Sequence, residues 1–213
     1  MNFFQAIILG IVQALTEYLP VSSSAHIRII GDLMLGADPG AAFTAIIQIG
    51  TELAVILYFR RDIINILSHW FGCLFGKNGP DWRARMGRGD KYATLGWNVI
   101  IGSIPIIILG FTLQNIIETS LRNLWITVTV LFLFGLLLWI VDARSRQIKT
   151  MDDMNYRDAF LFGLGQSMAL IPGVSRSGGT ITVGRALGYT RESAVRLSFP
   201  RCSAPACSKR SRP

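Results

Sequence analysis

Charge is what this sequence has least of. Only 16% of its 213 residues are charged while 51% are hydrophobic, and the mean hydropathy is +0.43, whereas soluble domains carry about 25% charged residues. That balance argues against a soluble domain and predicts a membrane protein. Cysteine is also scarce. Cys73 lies in a helical-looking stretch and Cys202 and Cys207 lie near the C-terminus, a spacing that supports neither a disulfide framework nor a zinc site. The N-terminus, "MNFFQAIILG", lacks a basic leader and its apolar run is interrupted at Glu17, so a cleavable signal peptide is not expected.

The net charge of +8 does not signal nucleic acid. Arg201, Lys209, Arg210 and Arg212 fall in the last fourteen residues, which contain no acid; without these four, the 21 basic residues become 17, against 13 acidic ones. The expectation is no nucleic-acid partner and an atypical basic tail over 200–213.

What the chain does have is long apolar runs. Leu124 to Val141 contains no charge over eighteen residues and is long enough to span a bilayer. Ala41 to Phe59 and Tyr92 to Leu113 are also long enough. The first carries Gln48 and Glu52, and the second is interrupted by Gly102 and Pro105, both tolerable where neighbouring helices satisfy the backbone. Basic residues collect in the loops Arg60 to Lys91 and Asp142 to Asp158, while the short Gln114 to Asn123 connection has only Glu118 and Arg122. The positive-inside rule puts the two basic loops in the cytoplasm and the short connection outside.

Phe3 to Leu19 fits poorly as a full crossing, because "PVSSSAH" follows it and too few apolar residues remain for a return. A hairpin entering from outside and turning near the midplane fits better, since irregular backbone at depth must face protein or water. A second segment has the same pattern. In "ILGIVQALTEYLPVSSSAH" and "LFGLGQSMALIPGVSRSGGT", Gly10 matches Gly163, Gln13 matches Gln166 and Pro20 matches Pro172. Two such hairpins from opposite faces predict an all-α, polytopic membrane protein with inverted repeats and a site at the midplane. The first repeat covers about 1–113 and the second, incomplete, about 124–199, within a single transmembrane domain 1–199.

The chemistry follows from residue types. Gln13 and Glu17 are four apart and share a helix face with Gly10. A carboxylate at the centre of a spanning helix costs about 2.5–3.5 kcal/mol on insertion scales, so such groups usually mark a site. His26 lies close enough along the chain to pair with Glu17 across the turn, beside Ser22, Ser23 and Ser24, and imidazole, carboxylate and hydroxyl together can activate a nucleophile. His69, between Ser68 and Trp70, reads as a surface-helix residue. In "PGVSRSGGT" the glycines permit close backbone approach, a helix start offers N–H groups to an anion, and Arg176 supplies a fork for phosphate oxygens. An acid, a histidine and hydroxyls on one hairpin and a phosphate clamp on the other imply hydrolysis of a membrane lipid with a phosphate or diphosphate head. A lipid-carrier transporter or flippase is the rival reading, but it needs no activated hydroxyl.

These two stretches resemble the signature motifs of the undecaprenyl-pyrophosphate phosphatase family, the bacitracin-resistance proteins. "QALTEYLPVSSSAH" is similar to its (E/Q)xxxE and PVSSxGH elements, and "PGVSRSGGT" to PGxSRSxxT. The resemblance covers about Met1 to Phe199 and implies hydrolysis of undecaprenyl pyrophosphate to the monophosphate. That reaction recycles the carrier for peptidoglycan synthesis, at a site open to the outer face of a bacterial plasma membrane. It places function at Gln13, Glu17, Ser23 and His26, and at Ser175, Arg176, Ser177 and Thr180. The assignment it suggests is Ser23 as nucleophile with His26 as base, Glu17 orienting His26 or a metal, and Arg176, Ser175 and Thr180 holding phosphates; His26 as nucleophile is the alternative. A second family of lipid phosphatases uses a histidine some residues after a Ser-Arg pair, and no histidine follows Ser175-Arg176 here. The resemblance also implies a divalent cation such as Mg2+, although the sequence shows no cage of carboxylates.

Two departures carry expectations. Ala25 stands where the family has Gly before the motif histidine, so a positive φ there would be strained. After "AVRLSF" the family continues with membrane helices that complete the second repeat, whereas this sequence turns to "PRCSAPACSKRSRP", as a shifted frame or truncation would produce. Loss of those helices is expected to compromise stability or activity.

Overall fold

A computed structural model describes residues 1–76, 79, 81–119 and 124–198, with the side chains of 41 and 114–119 undescribed. Residues 200–213, read above as a basic tail, lie outside the described residues. So does part of the 114–123 connection.

Ten α-helices follow one another among the described residues: α1 (Phe3–Thr16), α2 (Ser23–Leu35), α3 (Ala41–Tyr58), α4 (Arg60–Leu74), the single turn α5 (Trp82–Arg85), α6 (Lys91–Thr119), α7 (Leu124–Arg144), α8 (Tyr156–Ser167), α9 (Arg176–Ala186) and α10 (Arg191–Ser198). None of the described residues lies in a β-strand. The fold is all-α, as the sequence predicts.

Lengths separate the helices into two kinds. Lys91–Leu113 within α6 and all of α7 are long and apolar enough to cross a membrane, and α3 with α4 forms a third candidate bent by 72°. The bend falls at Phe59, where the apolar run gives way to Arg60, Arg61 and Asp62. α4 then lays Trp70 against Gly96 and Trp97 of α6. By contrast α1 has 14 residues and α8 has 12, roughly 21 and 18 Å at 1.5 Å per residue, well short of a ~30 Å hydrocarbon core. They are the first arms of two helical hairpins, α1–α2 and α8–α9.

Local signals set those arms. Asn2 caps α1 in a reciprocal capping box with Gln5, and the helix ends short of Pro20, which disfavours helical backbone just before it. Asn155 caps α8 by accepting from the Asp158 amide. α6 runs unbroken through Gly102 and Pro105 and continues to Thr119, so the interruptions seen in the sequence do not end the helix. Gly102 is there for contact: a Cβ on Gly163 of α8 would fall 2.1 Å from the Gly102 carbonyl oxygen. The helices meet backbone to backbone, the close approach that small residues permit between membrane helices.

The second hairpin is anchored at its base by buried polar chemistry. Arg185 is fully buried and donates to Asp142 and to the Tyr189 carbonyl, and Asp142 also accepts from Arg191. Asp158 accepts from Lys149 and from the Tyr189 hydroxyl. Burial, and next the hydrogen bond to Asp158, push the Tyr189 phenol well above its ordinary range.

Candidate active site

The two hairpins meet tip to tip. Ser177 Oγ, in the first turn of α9, donates to the Leu19 carbonyl in the first hairpin's turn at 3.1 Å, across 158 residues of sequence. Around that contact lies a small cleft of about 100 Å3, lined by Glu17, Ser22, Ser23, Ser24, Gln48, Ala169, Val174, Ser175 and Arg176. A larger cavity of about 200 Å3 adjoins it, and Glu17 and Arg176 line both.

On the first hairpin, Glu17 caps the C-terminus of α1 and is the hub. Its Oε2 accepts from Ser23 Oγ at 2.6 Å and from Gln13 Nε2 at 2.8 Å. Gln13 is 2% exposed, and its Oε1 is buried with no hydrogen-bond partner. The turn forces Ser22 to φ +61°, a conformation that costs a non-glycine residue energy and that clusters at functional sites. Ala25 sits inside α2, fully buried. The turn's positive φ thus falls at Ser22, three residues before Ala25, and the alanine carries no backbone strain.

The pairing of Glu17 with His26 is not what the structure has. His26 Nδ1 lies 2.9 Å from the Ser22 carbonyl, one helical turn back, while Glu17 Oε2 accepts from Ser23 and Gln13 and Oε1 faces Arg176. A carbonyl can only accept, so Nδ1 carries the proton and Nε2 is left as the basic nitrogen. Ser23 and His26 are three apart on α2 and share its face. The carboxylate thus contacts the hydroxyl directly, because Ser23 at the start of α2 is nearer the end of α1 than His26 is.

On the second hairpin, Gly173 has φ +102° and presses on the Thr127 carbonyl of α7, where no side chain fits. Ser175 caps α9, its Oγ accepting from the Gly178 amide at 3.2 Å. The N–H groups of Arg176 and Ser177 at the helix start have no intrahelical acceptor, which makes this end attractive to an anion. Arg176 reaches across with Nη1 2.7 Å from Glu52 and Nη2 3.7 Å from Glu17. Ser177 bonds Ser175 Oγ at 3.0 Å as well as Leu19. Thr180 lines the larger cavity, but its hydroxyl donates to the carbonyls of Arg176 and Ser177. That proton is not free for a phosphate oxygen, so Thr180 braces the first turn of α9.

Sequence reasoning missed several residues. Gln48 and Glu52 stand out in the sequence only as polar interruptions of a span, yet Gln48 lines the small cleft and Glu52 holds Arg176. Asn98, buried with an unpartnered Oδ1, lines the larger cavity. A polar group within an apolar span was the available signal in each case. Among the described residues no cluster of three or more His, Cys, Asp or Glu side chains could hold a metal ion by itself. The Glu17 carboxylate nevertheless lines both cavities, and Mg2+ commonly takes one or two protein oxygens and completes its shell with phosphate and water.

Comparison with known proteins agrees with the motifs. The family model of the bacitracin resistance protein BacA matches residues 6–208. The undecaprenyl-diphosphatase of Bifidobacterium longum subsp. infantis is 89% identical over 199 residues, 93% of this chain and 68% of the relative. That of Bifidobacterium adolescentis is 72% identical over the same shares. That of Paenarthrobacter aurescens is 54% identical over 203 residues, covering 93% and 69%. The apolar helices and these matches make this a membrane protein, and the chain belongs to the bacitracin resistance protein BacA family.

Proposed function

We propose that this chain hydrolyses undecaprenyl diphosphate to undecaprenyl phosphate and inorganic phosphate. In a bacterial plasma membrane, with the cleft open to the outer face, the reaction recycles the lipid carrier for peptidoglycan synthesis and underlies bacitracin resistance. The names of the relatives support the reaction, and one observation carries its assignment to this site: the 2.6 Å hydrogen bond from Ser23 Oγ to Glu17, in the cleft that Arg176 lines.

Arg176 and the amides at the start of α9 bind the diphosphate oxygens and spread their charge. Ser23 Oγ attacks the terminal phosphorus and passes its proton to Glu17. The bridging P–O bond breaks, and the lipid phosphate leaves with its electron pair. Water then attacks the phosphoserine and gives a proton to His26 Nε2, while Ser23 Oγ departs and recovers its proton from Glu17. Two transfers require two acceptors: Glu17 is hydrogen-bonded to Ser23, and His26 follows Ser23 by one turn along α2, behind the residues that line the cleft. A divalent cation such as Mg2+, held by Glu17 with phosphate and water, would neutralise phosphate charge. Ser177 holds the two tips together, and Thr180 braces the first turn of α9 behind it.

The test is phosphate release from undecaprenyl diphosphate by the detergent-purified chain beside S23A and E17Q. Release by the wild type that falls at least about 100-fold in both variants is expected, since general acid–base assistance alone contributes 10²–10⁴-fold. Undiminished release by S23A would overturn the assignment.

A further inference from the structure

Glu52 is an acid halfway along the apolar helix α3, and the two motifs make no use of it. α3 otherwise leaves Ile46, Ile49, Leu53, Ile56 and Leu57 exposed on its surface. Glu52 instead turns to the site, where its Oε1 accepts from Arg176 Nη1 at 2.7 Å. Next to it the Thr51 carbonyl accepts from the Tyr18 hydroxyl at 3.0 Å, which ties this turn of α3 to the tip of the first hairpin.

Arg176 has 42% of its side chain exposed and Glu17 stands 3.7 Å from its other arm, so without a second anchor this long side chain has many rotamers to lose on binding a phosphate. A guanidinium has five donors in a rigid fork. Fixing Nη1 leaves the remaining donors for an anion in the serine-lined cleft, which Arg176 also lines. The relation is that of an outer residue orienting the group that touches the ligand. We propose that Glu52 is a positioning residue for diphosphate recognition, holding Arg176 ready at the meeting of the hairpins. The proposal rests on the phosphatase reading for its substrate class, and its action is entirely through Arg176.

The test is a double-mutant cycle on the full chain in detergent, using E52A, E52Q, R176A and E52A/R176A, with inorganic diphosphate affinity by calorimetry and hydrolysis kinetics on the lipid. E52A is expected to weaken diphosphate roughly tenfold, or about 1.4 kcal/mol, and to raise KM similarly with little change in kcat. E52Q keeps an acceptor and is expected to lose less. In the R176A background E52A should add almost nothing, whereas a merely structural acid would weaken both backgrounds equally. Equal effects in both, or full affinity in E52A, would overturn the proposal, and if E52A does not fold, full affinity in E52Q/R176A relative to R176A alongside weakened E52Q supports it. A wild type that binds diphosphate but hydrolyses no lipid would refute the phosphatase reading while the cycle still decides the role of Glu52. No diphosphate binding at all would overturn both.

Discussion

Substituting Gly163 by alanine tests how the second hairpin is held in place. The new Cβ would lie 2.1 Å from the Gly102 carbonyl oxygen and 2.8 and 2.9 Å from the Gly102 carbonyl carbon and Cα, where ordinary contact begins at 3.4 Å. The difference, 3.4 less 2.1, means that α8 must retreat about 1.3 Å from α6. Neither side of this contact can rotate away, because both are backbone. Overpacking of this kind costs about 1–3 kcal/mol, partly offset by up to ~1 kcal/mol from replacing Gly by Ala within a helix. The movement would pass to the site, since α8 and α9 are themselves packed through Gly165 and Gly179. A displacement of ~1 Å of Arg176 relative to Glu17 can cost up to about 100-fold in rate. Gly10, the matching residue of the first hairpin, has nothing within 4 Å of its would-be Cβ. Thermal unfolding in detergent should therefore give a lower Tm for G163A and an equal or higher one for G10A, with phosphate release lost only in the former. Wild-type Tm and activity in G163A, or equal damage from both, would refute the packing argument.

Three further outcomes follow from the geometry. R185M should lower stability by about 3 kcal/mol, the low end for breaking a buried pair because Asp142 keeps Arg191; chemical denaturation in micelles measures it. Burial alone would raise the Asp90 carboxyl, but hydrogen bonds from His69 and from the Ala93 and Tyr92 amides outweigh it and hold the carboxyl below its ordinary range. Its contribution is thus present above an unfolded value of about 3.9 and lost as pH falls through the lower folded value, so D90N should lower Tm at pH 6, and the difference should shrink steadily as pH falls below about 3.9. S177A removes the tip-to-tip hydrogen bond and should cost about 1 kcal/mol while raising KM more than it lowers kcat, as steady-state kinetics would show.

Much of the site was legible in the sequence because its signals are local. Polar residues in apolar runs and the repeated Gly, Gln and Pro spacing pointed to two hairpins, and the structure brings Glu17, Ser23, Ser175 and Arg176 into one cleft. What pairs with what depends on distances that spacing does not encode. Glu17 bonds Ser23 while the His26 ring turns back to the Ser22 carbonyl, and Thr180 spends its hydroxyl proton on the Arg176 and Ser177 carbonyls of its own helix. Glu52 was visible as an anomaly, but its partner is 124 residues away. The Gly102–Gly163 contact was hidden for the same reason: glycine in an apolar span reads equally well as a break or as a packing surface.

The proposed reaction requires Ser23 to receive the phosphoryl group. Its most direct test is to quench the chain during turnover of undecaprenyl diphosphate labelled in the terminal phosphate and to follow the trapped protein-bound label in acid and in alkali. The account predicts an acid-stable, alkali-labile phosphoserine that maps to Ser23 and is absent from S23A. An acid-labile label that persists in S23A and disappears in H26A would contradict it.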